Sequence, residues 1–201
     1  MAMGRPRAFN KDEALDRAMN VFWRQGYEGA SLAELTKAMG INAPSLYAAF
    51  GNKEGLLRAA LDRYGQLRAE FMRNALDAPT ARETAARILM GTAEKLTDPD
   101  NPPGCLFVQA GLACGSGAEA IPAELACRRS ADEDALRARF ERAKAEGDLP
   151  PSSNPAVLAS FLSTVLQGMG VQAAAGATRD DLRKVAELTI ETFPAAASRE
   201  A

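Results

Sequence analysis

Ser31, Asn42, Ser45, Tyr47 and Lys53 are the side chains whose types and spacing could do chemistry, and that chemistry is recognition of nucleic acid. Hydroxyls, a carboxamide and an ammonium so close together supply donors for phosphate oxygens and for base edges in a groove. Ala43, Pro44 and Ala48 lie among them and are small and apolar, the surface that meets a thymine methyl. Upstream, Arg5, Arg7 and Lys11 share the first 11 residues with no acid among them. Off DNA this arm reads as a solvated tail; on DNA it would track phosphates or enter a minor groove.

Catalysis finds no comparable set. The chain has no histidine, which removes Ser-His and Cys-His nucleophiles, imidazole metal sites and the usual general base. Cys105, Cys114 and Cys127 lack any C-x-x-C spacing, so neither a structural zinc nor a disulfide framework is expected. No paired carboxylates or nucleophile–base constellation stand out. The expectation is a protein that is not an enzyme and carries no cofactor.

The elements that must position the recognition residues are two short helices joined by a tight turn. Ser31 is an N-cap with Glu34 completing a capping box, and Leu32, Leu35 and Met39 share one face. Gly40 stops that helix, and Asn42 caps the next, with Pro44 tolerated in its first turn. Leu46, Ala49 and Phe50 turn inward, leaving the polar and small residues outward at the N-terminal end. That layout is a helix-turn-helix with a recognition helix sized for a major groove. A preceding helix starts at Asn10, carries Leu15, Ala18, Met19 and Phe22 inward, and ends at Gly26. Trp23, the only tryptophan, reads as packing and is assigned no function.

From about Phe9 to Leu57 the sequence resembles the tetracycline-repressor-type (TetR) regulators. The residues that carry the likeness are Phe22, Gly26-Tyr27, Ser31-Leu32, Ile41, Ser45-Leu46-Tyr47, Phe50 and Lys53-Glu54-Gly55-Leu56. The resemblance implies a ligand-responsive transcriptional repressor that binds double-stranded operator DNA as a homodimer. It also implies a small-molecule effector in a cavity among helices four to eight. Some members of that family sense electrophiles or oxidants through a cysteine in the second domain, and Cys105 is the candidate here.

Composition fits. Hydrophobic residues make up 47% and charged residues 25% of 201, ordinary for a globular protein. No apolar run of membrane-spanning length and no signal region are read, so a cytoplasmic protein is expected. The net charge of −2 hides an asymmetry. Residues 1–75 hold 11 Lys/Arg against 8 Asp/Glu, and the remainder 13 against 18, a basic head on an acidic body.

No strand pattern appears, so the expectation is an all-α protein of about nine helices. Residues 1–52 read as the helix-turn-helix domain with its basic arm, and 53–201 as a helical ligand-binding and dimerisation domain. A long fourth helix from Asn52 carries Leu57, Leu61, Tyr64, Leu67 and Phe71 in one stripe and would act as a lever some 33 Å long. A sixth helix is expected over Cys105–Ala113, with Cys105 in its first turn, where unpaired N–H groups favour a thiolate. The alternative is a cysteine that packs as a small hydrophobe. The charged seventh helix, Ile121–Glu146, reads as a solvated face. The eighth and ninth helices are apolar and suggest a twofold helix-pair interface through Phe161, Leu162, Val165, Leu166 and Leu188. Phe71, Leu89, Leu106, Phe107 and Phe161 are candidate lining for an apolar effector, with Gln109 and Gln167 to orient it.

Overall fold

The computed structural model describes residues 10–112 and 120–194, and every regular element among them is a helix. In chain order these are α1 (Lys11–Gly29), α2 (Leu32–Met39), α3 (Ala43–Phe50), α4 (Lys53–Leu76) and α5 (Ala81–Leu96). Then follow α6 (Leu106–Leu112), α7 (Ala120–Ala145), α8 (Pro155–Ala174) and α9 (Arg179–Thr192). Arg5 and Arg7, like Cys114, lie outside the described residues.

The helix starts follow side-chain caps. Asn10, Ser31, Asn42, Asn52, Thr80, Asn154 and Thr178 each accept from a backbone N–H in the following turn. Each satisfies a donor that the first turn would otherwise leave orphaned. Ser31–Glu34 and Thr178–Asp181 are full capping boxes, and both carboxylates sit below their usual pKa because the cap hydroxyl donates to them. Gly40 closes α2 in the left-handed conformation, at φ 69° and ψ 29°. The first helix does not end at Gly26. That residue is a kink at φ 69° and ψ −176°, and the helical turns resume to Gly29.

Two cores result. The first joins α1, α2 and α3 to the start of α4 and to α6 and early α7 through Phe22, Leu35, Leu46, Leu57, Leu61, Leu106 and Leu125. The second holds α5, α7, α8 and α9 around the far end of α4, with Ile88, Leu89, Phe140, Leu162 and Leu182. Helices α4 and α7 both run from the first core into the second. The C-terminal carbonyls of α4 are closed by α7, where buried Arg139 donates from Nε to Leu76 O at 3.1 Å and from Nη2 to Ala78 O at 2.9 Å.

The expectation that α7 is only a solvated face is therefore corrected. Arg139 caps α4, Arg128 pairs with Asp62 at 2.7 Å, and Glu124 accepts from Arg58 at 2.8 Å. The partners of these charges lie some 60 residues away, beyond the reach of any local pattern. A second correction concerns α8, which by length and composition alone is apolar enough to cross a membrane, though only 33% of its apolar window is buried inside the protomer.

Candidate nucleic-acid interface and effector cavity

Helix α3 holds itself out from the body by one buried residue, Leu46. Asn42, Ala43, Pro44, Tyr47 and Ala48 are exposed and Ser45 is half-buried, so the N-terminal face is open to a groove. Asn42 Oδ1 accepts from Ser45 N at 2.9 Å, which commits that oxygen to capping. Ser31 is likewise occupied: its hydroxyl donates to Glu34 Oε2 at 2.7 Å and accepts from Glu34 N. Its place at the head of α2 remains compatible with DNA, but the hydroxyl already has two partners.

The junction from α3 to α4 is tighter than pattern reading suggests. A Cβ at Gly55 would stand 2.2 Å from Phe50 O, so only glycine lets the two helices meet there. The Lys53 ammonium lies over the Tyr27 ring at 4.5 Å, and Lys11 over Phe50 at 5.0 Å. Both cations are thereby placed beside the reading helix. Lys11 was legible only as part of a basic arm, since nothing local links it to Phe50.

Behind the head lies a cavity of about 190 Å³ among α1, α4, α5, α7, α8 and the 97–105 loop. Of the candidate lining residues, Phe71, Phe107 and Gln167 are on its wall. Leu89 and Leu106 are fully buried in the two cores, away from it. Phe161 is 43% exposed on the outside of α8, and Gln109 is turned toward Gly104. Helical spacing gives a face but not a depth, so residues one turn apart were not separable. The wall is also less apolar than expected, for it includes Arg68, Lys95, Asp98, Arg129 and Asp132.

Trp23 is the residue whose importance the chain concealed. It belongs to α1 of the head yet lines the cavity, and its indole Nε1 donates to Gly104 O at 3.1 Å in a buried bond. Gly104 in turn, at φ 90°, is so close to α8 that a Cβ on it would meet Gly170 O at 2.9 Å. The Trp23 ring packs edge-on to Tyr64, and Tyr64 edge-on to Phe107, at 4.9 and 5.0 Å between centroids. A line of contact thus runs from the head through the cavity wall to α8.

Cys105 also lines the cavity, but it precedes α6 instead of opening its first turn; its carbonyl accepts from Val108 N and Gln109 N. The Tyr64 hydroxyl donates to Cys105 Sγ at 3.6 Å. Burial pushes the Tyr64 hydroxyl well above the usual phenol range, so it stays a neutral donor.

The outer surface of α8 and α9 carries Val157, Phe161, Val185 and Leu188 exposed, with Val157 and Leu188 each 62% open. Leu162 is corrected out of the candidate interface, being fully buried in its own protomer, and Leu166 faces the cavity. Val165 is half-buried.

A capped two-helix reader on a helical body with a partly open cavity defines a helix-turn-helix regulator. Residues 14–60 match the family described as bacterial regulatory proteins, tetR family. The chain is 37% identical over 193 residues to the HTH-type transcriptional repressor ComR of Escherichia coli (strain K12), covering 95% of this chain and 92% of ComR. The HTH-type transcriptional repressor BdcR of the same organism is 29% identical over 194 residues, covering 94% and 92%. Among solved structures, a cysteine mutant of the TetR family transcriptional regulator CifR, complexed with 26-bp double-strand operator DNA, aligns with a TM-score of 0.91. It is 46% identical, and the alignment covers 95% of this chain and 100% of that one. The chain belongs to the TetR family of bacterial transcriptional regulators. Members of that family are regulators, not enzymes.

Proposed function

We propose that the protein is a repressor that binds a roughly palindromic operator as a homodimer and leaves it when a small molecule fills the cavity. In this reading residues 1–52 are the reading head with its basic arm and 53–201 the effector and dimer body. One observation carries this reading: α3 presents Asn42, Ala43, Pro44, Tyr47 and Ala48 outward, with Ser45 half-buried among them, while buried Leu46 and half-buried Phe50 anchor it to the core. Arg5, Arg7, Ser31 and Lys53 are the accompanying phosphate partners in this reading. The apolar outer face of α8 and α9 supports a twofold four-helix interface through Phe161 and Leu188, with Val165 at its edge. Two copies of α3 then sit about 34–36 Å apart, one turn of DNA. The CifR complex with operator DNA and the repressor names of ComR and BdcR point the same way.

The test is a gel shift with DNA taken from upstream of the protein's own coding sequence. A discrete complex of two protomers per duplex, competed only by the same sequence, is expected. Binding that ignores sequence would refute the reading.

A second reading, that Cys105 senses electrophiles or oxidants, is favoured by its place on the cavity wall beside the Tyr64 hydroxyl. Alkylation there would crowd α4 and α8 together. Operator release by a thiol-reactive electrophile, compared between native protein and Cys105→Ser, separates the readings. Equal release from both proteins would end the cysteine account and leave the reversible effector.

A further inference from the structure

We infer that the cavity takes a small organic anion, a carboxylate on a single ring or short hydrocarbon chain, with Arg129 as the main partner of the acid group. This rests on the effector-responsive reading and gives the effector a chemical class.

The charges on the wall do not balance. Three cations, Arg68, Lys95 and Arg129, face two acids, Asp98 and Asp132. Both acids already have partners. Asp132 Oδ2 accepts from Arg68 at 3.2 Å, and that guanidinium also lies over the Phe107 and Tyr64 rings. Asp98 Oδ1 accepts from Asp100 N, and its Oδ2 from Asn101 Nδ2, each at 3.0 Å, so its oxygens are held by its own loop. Arg129 donates to Phe107 O at 3.1 Å and, among the described residues, pairs with no carboxylate. Lys95 lies over the Phe71 ring at 5.0 Å and has no carboxylate partner among them either.

With Arg68 and Asp132 paired, two cations face the single remaining acid, Asp98, and this excess positive charge beside a partly apolar cavity is poorly matched to a neutral guest and disfavours a cationic one. A carboxylate meets the planar fork of Arg129 by charge-assisted hydrogen bonds, stronger than neutral ones. The Gln167 amide and the Ser163 hydroxyl line the same space and make no hydrogen bond among the described residues, so both can orient a polar group. Met72, Ile88, Leu136 and Leu166 cover the rest of the guest. A cavity of about 150 Å³ admits benzene, so the volume here suits one ring and an acid group.

Trp23 makes the test direct. It is the only tryptophan and it lines the cavity, so its fluorescence reports occupancy. Benzoate, phenylacetate and octanoate are each titrated into the full chain beside the matching amide. At least one carboxylate should bind with a Kd lower than its amide's by about tenfold or more. In Arg129→Gln that preference should shrink to near unity while amide binding stays, and Arg129→Lys should recover part of it. Circular dichroism identical to native guards against loss of fold, and Lys95→Gln gives a second, exposed variant with a smaller reduction. Equal or tighter binding of every amide, no carboxylate bound in the millimolar range, or a preference untouched in Arg129→Gln would overturn the anion site. Release of operator DNA is read in parallel. Carboxylate binding without release keeps the anion site and refutes the effector-responsive reading.

Discussion

The reading head and the cavity use one device to opposite ends. In both, cations lie over aromatic rings and, among the described residues, have no carboxylate partner. Lys53 sits over Tyr27 and Lys11 over Phe50 beside the recognition helix, and Lys95 sits over Phe71 on the cavity wall. A ring face holds a cation in place with about 0.5–1 kcal/mol at an exposed site, yet it does not neutralise it. The charge stays available to an incoming anion. In the proposed reading, that anion is DNA phosphate outside and the acid group of an effector inside. The packing around the two sets differs. The head is closed around Phe22, Leu35 and Leu46, all fully buried, whereas the body leaves space for a guest.

The comparison breaks most completely if the two regions are uncoupled by loss of the dimer. Phe161→Glu together with Leu188→Glu would place charge in an apolar helix interface at a cost of several kcal/mol unless the groups protonate. Sedimentation should show monomer, and operator binding should be lost with it. A monomer that still holds the full operator would contradict the coupling. Next in size is Gly55→Ala, whose new Cβ cannot coexist with Phe50 O. The collision tilts α3 and costs about 1–3 kcal/mol. The melting temperature read by circular dichroism should fall modestly, and sequence-specific binding should fall far more than non-specific binding.

Trp23→Phe sharpens the comparison, because Trp23 belongs to both regions. It keeps the ring but leaves Gly104 O without its donor, at about 1–3 kcal/mol for a buried acceptor. DNA affinity should persist while effector-driven release weakens, read as a lower release ratio in fluorescence anisotropy of a labelled operator. Lys53→Ala is a smaller change, lowering the slope of log affinity against log salt by about one unit for one phosphate contact. An unchanged slope would remove Lys53 from the phosphate set. The smallest effect is with pH. Burial works to raise the Glu124 pKa, but hydrogen bonds from Arg128 and Arg58 carry it below the usual value. Its folded pKa is thus depressed. The tie between α4 and α7 is fully present above the ordinary glutamate pKa and fades as pH falls below it. Glu124→Gln should flatten that acid limb of thermal stability.

The head was legible because its signals are local. Ser31 with Glu34, Gly40, Asn42 with Pro44 and Asn52 each specify a boundary within four residues, and the structure has those boundaries. The body was legible as helices and not as a site. Leu162 and Phe161 are neighbours in sequence, yet one is buried and the other exposed. The apolar run of α8 hides that difference, because both of its sides are apolar. Leu67, expected on the buried stripe of α4, is 54% exposed and lines the cavity. Trp23 was missed for a related reason. Its partner is a backbone carbonyl 81 positions away, and no spacing rule encodes such a bond.

Whether paired α3 helices read a twofold operator is measured most directly by selection from a pool of randomised duplexes. Several rounds on immobilised native protein, followed by sequencing, find the operator without assuming any part of it. The predicted result is an inverted repeat whose half-sites lie one helical turn apart, about 10–10.5 base pairs or a multiple of it, with preferences that change at specific positions in Ser45→Ala. A lone unrepeated motif, or no enrichment over the starting pool, would contradict it.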